Sequence, residues 1–125
     1  PIMAKHTDLP IYKVCYDLVK LSVALTPQNP RDFKITLGRD LFGECMAMVT
    51  LIARANAARD KTPHLQALAE HLDTARILVR VGHDAEVISH KAYAQAIEVM
   101  EALGRQAGGW LRSAQATRQS AAPAA

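Results

Sequence analysis

Along this chain apolar residues return every three or four positions, the spacing of one face of an α-helix. Proline, glycine or polar turns interrupt that rhythm three times. The pattern predicts a first helix from about Leu9 to Leu25, with Pro10 in its opening turn and Pro27 stopping it. Ile11, Val14, Leu18, Ser22 and Leu25 mark its inner face. The stretch from Thr26 to Asp32 holds Pro27, Asn29 and Pro30 and reads as a rigid turn. A second helix follows from Asp32 to Arg59. Leu37, Leu41, Cys45, Met48, Ile52 and Ala55 face inward, and Arg39, Gly43, Thr50 and Arg54 face outward. Gly38 and Gly43 each weaken it by about 1 kcal/mol relative to Ala, which predicts close packing or a bend there.

Thr62 followed by Pro63 predicts the start of a third helix, with the Thr hydroxyl as its N-cap. Leu65, Leu68, Leu72, Ala75 and Val79 form its core stripe, and Gly82 ends it. The fourth helix starts at Ser89, with Ile88 and Tyr93 at the spacing of a hydrophobic staple. Tyr93, Ala96, Ile97, Met100, Leu103 and Ala107 face inward, and Gly108 and Gly109 loosen its end. From Ser113 the Ala, Gln, Ser, Thr and Pro composition predicts a disordered tail. The expected organisation is a bundle domain over residues 1–112 and a tail over 113–125. Short connections make neighbouring helices antiparallel, giving an all-α, up-down four-helix bundle centred on Leu18, Leu41, Leu72 and Met100.

The apolar surface exceeds what one bundle needs. Tyr12, Tyr16, Val19 and Val23 form a second stripe on helix one, and Ile77 and Val81 lie off the core stripe of helix three. Either the core stripe is wide, or these residues form a subunit interface in a homo-oligomer.

Half the residues are hydrophobic and only 5% are aromatic, a balance that favours helix over strand. The formal charge is +3, and the positive excess lies in the first 62 residues. That suits a polyanion partner without singling one out. Cys15 and Cys45 fall on apolar helical faces and read as buried free thiols, with a disulfide as the alternative. No apolar run reaches the length of a membrane span. Lys5, His6 and Asp8 interrupt the first residues, so no secretory leader is expected. Pro1 and Ile2 read as residues preceding a native Met3, and a cytoplasmic location is expected.

The five histidines raise the question of a metal. His64 and His71 share a face two turns apart, too far for one ion, and neither His-Glu-x-x-His nor Glu-x-x-His occurs. Neither metal nor cofactor is expected. Arg59-Asp60-Lys61-Thr62-Pro63-His64 fits Arg-x4-His and resembles the signature of HEPN ribonucleases, in which an Arg and a His converge on a phosphodiester. The plainer account is an Arg near its helix terminus and a surface His. Glu101 and Arg105 are spaced as an i, i+4 pair on a solvated face. Among the basic residues, Arg39 and Arg54 share one face of helix two, Arg76 and Arg80 one of helix three, and Lys13 and Lys20 one of helix one. Repeated around an oligomer, such pairs become rings of charge able to hold a phosphate backbone.

Five segments together resemble a known family. They are Lys5-His6-Thr7-Asp8-Leu9-Pro10-Ile11-Tyr12-Lys13, Asn29-Pro30-Arg31-Asp32-Phe33-Lys34, the following Thr36-Leu37-Gly38, Arg54-Ala55-Asn56-Ala57-Ala58-Arg59, and Gly104-Arg105-Gln106-Ala107-Gly108-Gly109-Trp110. In this order they are similar to the accessory variability determinant (Avd) proteins of diversity-generating retroelements. Those proteins fall within a broader class of four-helix bundles that includes ribosomal intervening-sequence proteins. The likeness covers about residues 3 to 112. It implies a non-catalytic accessory protein that forms a ring-shaped homopentamer. Its implied partners are a reverse transcriptase and its template RNA, with cDNA or an RNA–DNA hybrid as further forms of nucleic acid, in support of error-prone cDNA synthesis. Arg39, Arg54, Arg76 and Arg80 are then the expected contacts to RNA or enzyme, and Tyr12, Tyr16, Val19, Val23, Ile77 and Val81 the expected oligomer interface. A HEPN-like ribonuclease and a bundle scaffold with another protein partner stand as the alternatives.

Overall fold

A computed structural model describes residues 5–24 and 32–121, with the side chains of 32–35 and 121 left aside. After a short 3-10 turn at His6–Asp8 come α1 (Pro10–Ala24), α2 (Asp32–Ala57), α3 (Thr62–Asp84) and α4 (His90–Ala121). The described residues contain no strand. α1 packs on α2, α2 on α3, α3 on α4, and α4 closes the ring against α1. Only residues 58–61 join α2 to α3 and only 85–89 join α3 to α4. Connections that short reverse direction, so α2, α3 and α4 alternate up and down.

The core follows the periodicity. Leu18, Leu41, Leu72 and Met100 are at most 2% exposed, and every inward position expected on α2 and α3 is buried. Burying a Leu or Met side chain stabilises the fold by roughly 1.5–3 kcal/mol, so these four stripes account for most of the cohesion. On α1 the buried face is Ile11, Cys15, Leu18, Val19 and Ser22, and Val14 is only half-buried. Ser22 donates to the Val19 carbonyl at 2.7 Å, which keeps its hydroxyl satisfied within the core. Cys15 and Cys45 are both free and fully buried, and the Cys15 thiol points at the Cys45 carbonyl, 3.9 Å away. The expected turn at 26–31, together with Leu25, lies outside the described residues.

Three local expectations change. Gly43 has no heavy atom within 4 Å of where a Cβ would sit, so it marks open surface rather than close packing. The cap of α3 is not the Thr62 hydroxyl: Asp60 Oδ1 accepts from the Thr62 backbone N–H at 3.2 Å, and Thr62 Oγ1 is buried without a hydrogen-bond partner. Gly82 does not end α3, which continues to Asp84. A Cβ there would come within 2.6 Å of both Ile88 and Leu37, so the glycine is where the α3–α4 corner closes on the core. Its carbonyl accepts from the N–H groups of Val87 and Ile88, at 2.8 and 3.0 Å. Glu86 turns the chain at φ 60°. Ser89 then caps α4, accepting from the Ala92 N–H at 3.1 Å.

The largest change is at the end of α4. Residues 113–121, expected as disordered tail, extend the helix through Gly108 and Gly109 to Ala121. Ala, Gln and Arg are strong helix formers, and the extension is anchored: Ala114 packs on the core and Arg118 pairs with Asp60 at 3.3 Å. No described helix is long and apolar enough to cross a membrane.

Candidate nucleic-acid and partner interface

The four candidate arginines divide into two unlike pairs. Arg39 and Arg54 stand exposed on α2 and make no ion pair with any described residue. Arg76 is half-buried on α3, where its Nη1 donates to Asp73 Oδ1 at 3.0 Å. Its guanidinium lies so close over Gly104 of α4 that a Cβ there would meet Nη2 at 2.7 Å. Arg80 faces Asp84 at 3.7 Å, with both side chains exposed. Exposed ion pairs contribute at most about 1 kcal/mol, so a phosphate can displace Asp84 at little cost. Arg76 is further committed by its packing across the α3–α4 groove. The Glu101–Arg105 pair expected on α4 is not among the ion pairs formed by described residues.

A fifth basic position emerges where α2 ends. Arg59, Asp60, Lys61, Trp110, Ser113, Ala114, Thr117 and Arg118 line a cleft of about 480 Å³ between the α2–α3 turn and the extended end of α4. Lys61 is fully engaged there: Nζ donates to the carbonyls of Ala55, Asn56 and Ala58 at 2.9, 3.2 and 2.9 Å. It thus satisfies the terminal carbonyls of α2 and places its charge at the negative end of the helix dipole. Asp60 is engaged by Arg118 and by the α3 cap, which leaves Arg59 as a cleft cation without an ion pair to a described residue. His64 is half-buried on α3 and does not line this cleft, so the Arg-x4-His spacing does not bring both side chains to it.

The proposed interface residues also separate. Val19 belongs to the core of the single chain at 8% exposure, a correction to its place in the second stripe. α1 is flanked by both α2 and α4, so its buried arc is wide enough to include that position. Tyr12 is half-buried and stacks on Tyr16 with ring centroids 6.1 Å apart. Tyr16, Val23, Ile77 and Val81 are 48, 55, 63 and 44% exposed, and Phe42 and Met46 on α2 join them as exposed large apolar residues.

Burial raises the thiol of Cys15 from an ordinary 9.0 to about 12, with Cys45 nearby adding to the shift. Burial likewise raises Cys45 to about 11, with a hydrogen bond between it and Ser22 lowering it and Glu44 raising it. Both are protonated, inert core groups at neutral pH. His71 is held by Glu44, tying α3 to α2. Among the described residues no three His, Cys, Asp or Glu side chains converge as a metal donor set.

The family model described as bAvd-like matches residues 9–114, most of the chain and all four helices. The chain belongs to the bAvd-like family. This agrees with the likeness to Avd proteins, and no curated protein and no solved structure matches it. For a bAvd-like chain the α2 arginines are legible as outward positions of an amphipathic helix. The cleft beside Trp110 and Arg118 was missed, because it exists only if α4 runs past its glycines to meet the α2–α3 turn. The signal available was the helix-forming composition of Ala114 to Arg118, with Arg118 as a cationic partner for Asp60. Phe42 and Met46, one turn apart, were visible as an i, i+4 apolar pair outside the core stripe.

Proposed function

We propose that this chain is a non-catalytic accessory protein of a diversity-generating retroelement. In this reading it works in the cytoplasm as a ring of identical subunits, five by family resemblance, that binds the reverse transcriptase and its template RNA during mutagenic cDNA synthesis. Family membership carries the reading. Two features of the molecule support it. The first is charge: Arg39 and Arg54 stand exposed on one helix without an ion pair to a described residue, with Arg80 and Arg76 as further contacts on another. Nothing in that arrangement selects a sequence, which suits a backbone-binding role extending to cDNA and RNA–DNA hybrid.

The second is the exposed apolar residues, which support the ring. Tyr16 and Val23 lie on α1 and Ile77 and Val81 on α3, helices diagonally opposed in the bundle, since the described part of α1 packs beside α2 and α4. They therefore look out on different sides of the molecule. Two different patches joined head to tail generate a closed ring when the rotation completes a circle, whereas a two-fold dimer uses one patch twice. Rings of arginine then act multivalently, so a formal charge of +3 per chain is sufficient.

RNA binding measured across a salt series tests the contact face. Affinity should fall steeply with salt. Arg39→Ala with Arg54→Ala should weaken binding and lower the salt slope by about 0.7 for each phosphate of single-stranded RNA that is no longer neutralised. Unchanged affinity and slope after substitution of all four arginines would overturn the basic-ring mechanism.

A further inference from the structure

We propose that the α3–α4 corner is a two-histidine chelate for a zinc-like divalent cation, with His83 Nε2 and His90 Nδ1 as the protein ligands. His83 sits in the last turn of α3 and His90 opens α4. Their facing nitrogens are 3.4 Å apart. That is the long end of hydrogen-bond range, and one ring can donate to the other when it carries the proton there. The same separation matches the edge of a coordination tetrahedron: two imidazoles at the usual zinc–nitrogen distance of ~2.0–2.1 Å stand about 3.3–3.4 Å apart.

The corner is built before any ion arrives. The Gly82 carbonyl accepts two backbone N–H groups, Glu86 makes the turn, and Ser89 caps α4. Tyr93 stacks on the His83 ring at 4.3 Å with planes 20° apart, which fixes the imidazole. Asp84 Oδ1 lies 3.5 Å from His83 Nδ1. A carboxylate on the Nδ1 side, opposite the nitrogen offered to the ion, stands where carboxylates support metal-binding histidines. His83, Asp84, Glu86, Ile88, Ser89 and His90 line an open cleft of about 490 Å³. Asp84 and Glu86 bring negative charge to it, with room for the waters that complete the coordination. Two imidazoles favour zinc, copper or nickel over magnesium or calcium. With two protein ligands rather than four, binding is weaker than at a structural zinc site. The ion clips the end of α3 to the start of α4 and stabilises the folded chain by mass action.

The test is calorimetric titration of ZnCl2 into the untagged full chain, with thermal unfolding as a second readout. One zinc per chain should bind, and saturating zinc should raise the melting temperature. His90→Ala, at an exposed position, should lower affinity at least tenfold and abolish the thermal shift, as should His83→Ala. His64→Ala should change neither. Circular dichroism establishes that each variant is folded. Absence of saturable binding, or the same affinity and thermal shift in both corner variants, overturns the proposal.

Discussion

Cys15 and Cys45 show how burial sets chemistry at the scale of one residue. Removing a thiolate from water disfavours its charge, so both groups hold their protons far above an ordinary 9.0. In the unfolded chain both titrate near that ordinary value. Below it, folded and unfolded states bind the same protons and the core is fully stable. As pH rises from 9 toward about 11 for Cys45 and about 12 for Cys15, the unfolded chain loses protons first, and stability falls. Denaturant unfolding across this range should show that loss, and Cys15→Ala with Cys45→Ala should flatten the alkaline part of the curve. In the native state at pH 8 neither thiol should react with an alkylating reagent. Lys61 is a different case: three helix-end carbonyls hold its ammonium, so this cation is structural although it lines the cleft with Arg59.

At the scale of elements, the α3–α4 corner closes directly on the core at Gly82. Gly82→Ala sets a Cβ 2.6 Å from Ile88 and Leu37, and both of those side chains are buried and unable to move freely. Overpacking of this kind should destabilise the chain by about 1–3 kcal/mol, read as a lowered denaturant midpoint, whereas Gly43→Ala on open surface should stabilise α2 by up to about 1 kcal/mol. The inward stripes of α2 and α3 were legible residue by residue, because each is a long amphipathic helix with a regular apolar stripe. Three features were not. Val19 reads as a second stripe in isolation, and only the two-sided packing of α1 puts it inside. Thr62 followed by Pro63 resembles a capped start, yet Asp60 two residues earlier does the capping. The residues after Gly109 are equally compatible with tail and helix by composition, and contact with the α2–α3 turn decides between them. The candidate arginines were legible as outward-facing. That Asp73 and Asp84 temper one pair, while no described residue pairs with the α2 arginines, is a matter of side-chain geometry.

At the scale of the whole molecule, the described surface offers three unlike areas. Exposed arginines without an ion pair to a described residue lie on α2, exposed apolar residues lie on α1 and α3, and a cleft containing Trp110 lies at the end where α4 meets the α2–α3 turn. Exposed apolar residues that sit together, as Ile77 and Val81 do one turn apart, suit a contact surface more than open water. A subunit uses them to join its neighbours, and joining multiplies each charged face without raising the charge of the single chain. Association with copies of itself and with the reverse transcriptase is therefore the central property proposed for this chain. Light scattering after size exclusion of the chain mixed with its cognate reverse transcriptase tests it most directly. The expected result is one species containing the enzyme and several copies of the chain. Two separate peaks, one the enzyme alone and the other the chain at its monomer mass, would contradict it.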